Sequence, residues 1–183
     1  MFLLPPLLLA LALAAALGGN LARLLRVEFR CAWLLVVALG DQVILFTGPG
    51  ATMPRPLQQA LHLASYALLF AFAALNLRLR SLWPLFLGMA LNAAAISANG
   101  GHMPLSADAA RSAGITVGSH ANVADSAGRL RFLGDMFALP PWLPLANVYS
   151  VGDVLIAAGT LTFVLAVSLG GGERGAGRPL HAA

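Results

Sequence analysis

The sequence predicts an all-α fold, an integral membrane bundle of about five transmembrane helices with one long ordered extracytoplasmic loop. Of its 183 residues, 59% are hydrophobic and only 10% are charged, whereas soluble domains are about 25% charged. The apolar residues are gathered in separate runs close to the ~20 residues that cross a bilayer as a helix. The single cysteine, Cys31, excludes a fold held together by internal disulfides. A soluble globular domain and a disordered chain are also excluded.

Five apolar runs define the predicted helices in chain order. They are Phe2 to Leu17, Cys31 to Thr47, Leu57 to Leu77, Leu82 to Ala98 and Val148 to Leu169. The first, second and fourth runs are short for a full crossing, so we expect them to include flanking residues or to lie where the bilayer is thin. The first run also resembles the apolar part of a cleaved signal peptide, but its arginines follow it instead of preceding it. We therefore predict a retained first helix.

The connections predict the topology through their arginines, which make up all eleven basic residues of the chain. Short connections rich in arginine lie on the cytoplasmic side of a membrane. This rule places the N-terminus outside, the C-terminus inside and the loop of residues 99–147 on the extracytoplasmic side of a bacterial inner membrane. Residues 1–170 then form one membrane domain, and residues 171–183 form a disordered cytoplasmic tail.

The distribution of arginine and histidine predicts which partners and cofactors the protein binds. Because the arginines are dispersed at the ends of apolar runs, they predict no basic face for nucleic acid, and the expected partner is the lipid bilayer. A further membrane protein partner stays open. The histidines His62, His102 and His120 have none of the close spacing that is typical of zinc ligands. The sequence therefore predicts neither a metal site nor a cofactor.

Small residues predict where helices approach each other closely. Alanines at helical spacing on the third predicted helix would allow such a contact. They are Ala60, Ala64, Ala67 and Ala71. The glycines within the spans, Gly40, Gly88 and Gly159, are isolated, and the chain has no internal repeat. Both features disfavour a transporter.

Polar side chains on four predicted helices fall at a similar depth on the outer side. They are Asp41, His62, Asn92 and Asp153. An ionisable side chain within a span is costly, so it is expected to face the bundle interior or water and to have a functional role. The alternative is that these residues only form hydrogen bonds between helices. We predict an outward-facing polar pocket.

The loop of residues 99–147 is expected to cap this pocket. Its candidate ligand-binding residues are Asn99, His102, Arg131, Asp135 and Asn147. With the four helical residues, they would bind a small ligand, a lipid headgroup or a membrane partner. For Arg131 and Asp135, a local ion pair is the alternative. Trp142, in a proline-rich segment, is expected to lie at the lipid interface, where tryptophan is enriched.

The last predicted helix begins with a sequence pattern that is typical of a helix cap. Ser150 and Asp153 have the spacing of a capping box, in which a serine hydroxyl and an acid three residues later satisfy the first free amides of a helix. The helix dipole also favours a carboxylate at this position. Capping is therefore an alternative to any catalytic role of Asp153.

Several segments from the loop onwards resemble the signature of one family. They are Asn99-Gly-Gly-His-Met-Pro, Phe132-Leu-Gly-Asp135, Leu139-Pro and Asn147-Val-Tyr-Ser150-Val-Gly-Asp153-Val-Leu-Ile. They look like a bacterial multi-pass membrane family catalogued as domain of unknown function 5317. The likeness extends from the first helix to about Leu169. It implies an integral membrane protein and supplies no activity.

Other short segments contain aspartates in recognisable contexts. They are Tyr149-Ser150-Val-Gly-Asp153, Asn122-Val-Ala-Asp125 and Leu39-Gly-Asp41-Gln42. They are similar to motifs of lipoprotein signal peptidase, although Ser150 stands where that family has Asn and Ser126 where it has Arg. The resemblance implies an aspartic-type membrane peptidase, in which two carboxylates share a proton. The catalytic candidates are Asp153, Asp135, Asp125 and Asp41.

Overall fold

The chain folds into a mostly helical bundle, seen here in a computed structural model. The structure describes residues 4–45, 47, 50, 52–115, 122–124, 128–143 and 146–170, and the predicted tail of residues 171–183 lies outside them. The helices are α1 (Leu4–Ala16), α2 (Ala32–Leu45), α3 (Arg55–Leu75), α4 (Trp83–Ala98), α5 (Ala107–Ser112) and α6 (Val151–Ser168). Short 3-10 turns cover Leu21–Arg26, Arg80–Leu82 and Arg131–Leu133. Each of the five predicted apolar runs therefore overlaps one of the longer helices.

Three helical segments are long and apolar enough to cross a membrane. They are Arg55–Leu75 with 21 residues, Arg80–Ala98 with 19 and Val151–Ser168 with 18. The helices α1 and α2 are apolar but shorter. Large apolar side chains are exposed on the outer surface of the bundle, among them Leu8, Trp33, Val36, Leu63, Phe70, Leu87 and Val154. Such extensive apolar exposure is typical of a surface that contacts lipid.

Helix α2 runs antiparallel to α3 and α4 runs antiparallel to α6, whereas α1 runs parallel to α6. The end of α6 meets the residues that follow α1, where the Asn20 amide donates to the Ser168 carbonyl at 2.9 Å. In the interior, α6 packs between α1 and α4, and α2 packs on α3. The loop-bearing end of the bundle is the end where α3 and α6 begin and α4 ends. The remaining end is called the opposite end below.

Asn76 connects two helices at the opposite end. Its buried side chain donates from Nδ2 to the Arg30 carbonyl at 2.9 Å and accepts at Oδ1 from the Arg30 amide at 2.9 Å. The same Nδ2 donates to the Phe72 carbonyl at 2.8 Å. The side chain thus pairs with a backbone unit as a neighbouring strand would, and it fixes the start of α2 against the end of α3.

Replacing Asn76 tests this connection. Asn76→Ala removes these bonds and leaves the peptide groups of Arg30 without a partner, so we expect the free energy of unfolding to fall by about 2–3 kcal/mol. Denaturant titration in uncharged detergent measures the change. The control is Asn20→Ala, because Asn20 is exposed at the same end and caps only one amide, which is worth about 1 kcal/mol. Equal losses in the two variants would contradict the connecting role of Asn76.

The hydrophobic core is shared by four helices. Its buried members include Leu34 of α2, Phe72 of α3, Phe86 of α4 and Ile156 of α6. The first helix joins the bundle through a separate cluster of small residues on α1 that packs against Val164 of α6. Because α6 contributes to both clusters, it links the first helix to the rest of the bundle.

Glycines allow a close contact between α4 and α6. A Cβ atom on Gly159 would lie 2.6 Å from Leu85 Cβ, and one on Gly152 would lie 2.6 Å from the Gly88 carbonyl oxygen. Real Cβ atoms do not approach so closely, so α4 and α6 can pack at this distance only with glycine at these positions. Gly88 and Gly159, which looked isolated in the sequence, therefore lie in an interhelical contact, whereas a Cβ on Gly40 would have no neighbouring atom within 4 Å.

Among the described residues, the alanines of α3 form no such contact. Ala60, Ala64, Ala67 and Ala71 are all exposed, so the prediction of a close helix contact there is wrong. The physical reason is the rotation of α3, which turns its buried face, with His62, Ser65, Leu69, Phe72 and Ala73, towards the bundle.

The loop contains more secondary structure than the all-α prediction allowed. Strand β1 (Met103–Leu105) pairs in parallel with β2 (Asn122–Ala124), and β3 (Phe137–Ala138) pairs antiparallel with β4 (Val148–Tyr149). Ser106 caps α5 through a bond from the Ala109 amide. Strands of two or three residues are too short to show the alternation that identifies a strand in a sequence.

Candidate functional site

Asn92, Ser150 and Asp153 form a hydrogen-bonded network at the loop-bearing end. Asn92 Nδ2 donates to Asp153 Oδ1 at 2.9 Å, and Ser150 Oγ donates to Asn92 Oδ1 at 2.7 Å. The Ser150 amide donates to Asp153 Oδ2, and the Asp153 amide donates to Ser150 Oγ, both at 3.0 Å. The predicted capping box is therefore confirmed, and a residue of α4 extends it.

The network accounts for both carboxylate oxygens of Asp153. One accepts from Asn92 and the other from the Ser150 amide, so within the described residues its hydrogen-bond partners are an amide side chain and a backbone amide. An aspartic peptidase needs a second carboxylate that shares a proton with the first. The contacts of Asp153 are those of a cap that holds α6 against α4, and its catalytic role stays a prediction.

His62 connects α3 to the start of the loop. Its buried ring lies with Nδ1 3.1 Å from the Gly101 carbonyl oxygen. Gly101 has a φ of +94°, and a Cβ there would lie 2.9 Å from Gln59, so the turn requires glycine. One turn along the same helix, Ser65 Oγ donates to the His62 carbonyl at 2.8 Å. His62 is thus held from both the helix and the loop.

Tyr66 lies near side chains that are far apart in the sequence. Its ring centroid lies 5.5 Å from that of His62, and Asp153 and Asp135 lie within electrostatic range of its phenol. The ring also packs beside Ile96 of α4. Sequence reasoning missed Tyr66, although its position four residues after His62 puts the two side chains on one face of a helix.

Asp135 reaches this region from the loop. Its side chain is buried, and its backbone is fixed on both sides, because its amide donates to the Pro104 carbonyl at 2.8 Å and its carbonyl accepts from the Ser106 amide at 2.9 Å. On the other side of the cluster, Asp41 of α2 interacts electrostatically with His62. Acidic groups on α2, α6 and the loop therefore lie within electrostatic range of His62 or Tyr66.

Other predicted site residues have local contacts. Asn99 Nδ2 donates to the Arg129 carbonyl at 2.8 Å, and its Oδ1 accepts from the Arg129 amide at 2.8 Å, which closes the loop onto the end of α4. The Asn147 side chain accepts from the next amide, that of Val148. His102 is half-buried and Arg131 is exposed. Asp125 lies outside the described residues.

The site is acidic, and this charge affects a neighbouring phenol on the loop. Burial first, and then the negative charge of Asp153, raise the pKa of Tyr149 in β4. Tyr149 therefore stays neutral at physiological pH. Within the described residues, no group of three or more histidine, cysteine or acidic side chains could hold a metal ion.

These features define a mostly helical protein with helices of membrane-spanning length and with acidic, histidine and tyrosine side chains at its loop-bearing end. A family model matches residues 26–165, and the chain belongs to that family, DUF5317, a family of unknown function. Comparisons with curated proteins and with solved structures gave no significant match.

Proposed function

We propose that this protein is a multi-pass protein of the bacterial inner membrane that binds an ammonium group at its loop-bearing end. The ammonium group belongs to a small soluble amine or to a lipid headgroup. The binding site is the acidic cluster, which we define as Asp41, His62, Tyr66, Asp135 and Asp153. About five helices cross the bilayer, and the loop covers the cluster on the extracytoplasmic side.

The observation that carries the proposal is that Tyr66, whose ring centroid lies 5.5 Å from that of His62, is at the end of the bundle to which the loop brings the buried Asp135 and α6 brings Asp153. Both carboxylates lie within electrostatic range of the Tyr66 phenol. Carboxylates attract a cation strongly where water is scarce. A tyrosine ring adds a cation–π attraction worth about 0.5–2 kcal/mol. An ammonium group matches both the charge and the ring.

The distribution of arginine supports the orientation. Among the short connections, those at the opposite end of the bundle, after α1 and α3, hold most of the exposed arginines. They are Arg23, Arg26, Arg30, Arg78 and Arg80. The positive-inside rule then favours a cytoplasmic location for that end and an extracytoplasmic location for the acidic cluster. Asp153 contributes its charge to the cluster while it caps α6.

The test uses the whole protein in uncharged maltoside micelles, with ethanolamine as the soluble probe and phosphatidylethanolamine as the lipid probe. We expect at least one of the two to bind saturably by calorimetry. Asp135→Asn and Tyr66→Leu should each weaken binding by about tenfold, since one charge-assisted contact is worth about 1.5–3 kcal/mol. Saturation by free ethanolamine identifies a soluble amine, and saturation only by the lipid identifies a headgroup.

The matched control is Asp108→Asn. Asp108 is an exposed loop aspartate that forms an ion pair with Arg111, so its loss removes the same charge away from the cluster and should leave the affinity unchanged. Thermal unfolding of each variant separates lost binding from lost structure. Absence of saturable binding of both probes to the wild-type protein, or equal affinity in all variants, would overturn the proposal.

A further inference from the structure

The second half of the loop exposes large apolar side chains beside arginines. Between residues 129 and 143, the exposed apolar side chains are Leu130 (38%), Phe132 (63%), Met136 (43%), Phe137 (49%) and Trp142 (77%). Arg129 and Arg131 are exposed in the same stretch, whereas its acid, Asp135, is buried. We call these exposed apolar residues together with the two arginines the loop patch. Its surface is therefore both apolar and cationic.

The loop patch is fixed to the ends of two long helices. At its start, the paired bonds between Asn99 and the Arg129 backbone hold it to the end of α4. At its far side, Phe137 of β3 pairs with Tyr149 of β4, directly before α6 begins at Val151. If α4 and α6 cross a bilayer, both attachments lie at the membrane surface. The loop patch then lies level with the lipid headgroups.

The backbone at Leu130 is strained. Its φ of +53° lies in the left-handed region, which costs a leucine about 1–2 kcal/mol. The turn comes directly after the clamped Arg129 and leads into the segment that exposes Phe132. Strain of this kind persists only where the surrounding structure holds it, and an observed outlier points to a functional role. Here the turn directs an aromatic side chain outwards.

We propose that the loop patch lies in the headgroup layer of the membrane and binds anionic phospholipid. Aromatic side chains favour the membrane interface, where an apolar ring contacts acyl chains. Arginine side chains pair well with phosphate groups. The charge complementarity selects an anionic headgroup over a neutral one. The proposal depends on the helices crossing a bilayer, and it is independent of ammonium binding by the acidic cluster.

Trp142 provides a direct readout. The chain contains three tryptophans, so the double variant Trp33→Phe, Trp83→Phe leaves Trp142 as the single emitter. The protein is reconstituted in vesicles of phosphatidylcholine and phosphatidylglycerol, with one lipid brominated at a time to quench tryptophan on contact. We expect phosphatidylglycerol to be preferred around Trp142 by about fivefold, the effect expected for one arginine near an anionic surface. High salt should reduce this preference.

Two arginine variants separate specific binding from a change in net charge. Replacing both patch arginines, Arg129→Gln with Arg131→Gln, should reduce the preference to about one. Arg111→Gln, which removes an exposed loop arginine that is paired with Asp108, should leave the preference unchanged. If the double tryptophan variant misfolds, the difference between the wild-type protein and Trp142→Phe gives the same signal. Equal quenching by both lipids, or no quenching by either, would overturn the proposal.

Discussion

Gly159→Ala is expected to lower the free energy of unfolding by about 3 kcal/mol or more, since overpacking a tight contact costs about 1–3 kcal/mol and occasionally more. The new Cβ would lie 2.6 Å from Leu85 Cβ and close to the Leu85 backbone as well. Backbone atoms cannot rotate away as a flexible side chain can, so α4 and α6 must separate. Denaturation in uncharged detergent, followed by circular dichroism, measures the loss.

Gly40→Ala is the matched control for this change. Gly40 also lies within an apolar helix, but a Cβ added there would have no neighbouring atom within 4 Å. The alanine should therefore cost nothing and, through its higher helix propensity, should stabilise α2 by up to about 1 kcal/mol. A similar loss in both variants would show that the close approach of α4 and α6 does not limit stability.

Asn92→Ala is expected to have the second large effect. It removes the amide that donates to Asp153 and accepts from Ser150, and the Ser150 side chain is fully buried. A hydroxyl then loses its acceptor and a carboxylate loses a donor, so we expect a loss of about 2–4 kcal/mol in the free energy of unfolding. The same denaturation experiment measures this loss.

The control for Asn92 is Asn147→Ala. Asn147 is exposed, and its side chain bonds only to the adjacent amide of Val148. We expect its replacement to cost less than about 1 kcal/mol. If Asn92→Ala were as mild as Asn147→Ala, the network would not contribute to the stability of the contact between α4 and α6.

The sequence could predict the structural features that depend on residues close together in the chain. The apolar runs placed the long helices to within a few residues, as for Cys31 to Thr47 against the observed Ala32–Leu45. The capping box at Ser150 was predictable because both of its residues lie within one helical turn. Three of the helical segments have the length to cross a membrane, and five crossings stay a prediction.

Features that depend on helix rotation were not predictable. In a membrane helix, apolar residues face lipid as well as other helices, so composition does not identify the packed face. The alanine stripe of α3 was therefore assigned to the interior, and the packing role of Gly159 was missed. Tyr66 was missed because its contacts to the loop depend on the fold of residues that are distant in the chain.

The position of α6 has a consequence for biosynthesis. Asn92 and Asp153 are 61 residues apart, and α6 also supplies the surface on which α1 packs. During synthesis, α1 and α4 leave the ribosome long before α6 is made. Until then, the Asn92 amide of α4 and the small residues of α1 lack the surface of α6 against which they pack. Assembly is completed only when α6 enters. A chain interrupted before Val151 should therefore be a substrate for membrane quality-control proteases and not a stable shorter protein.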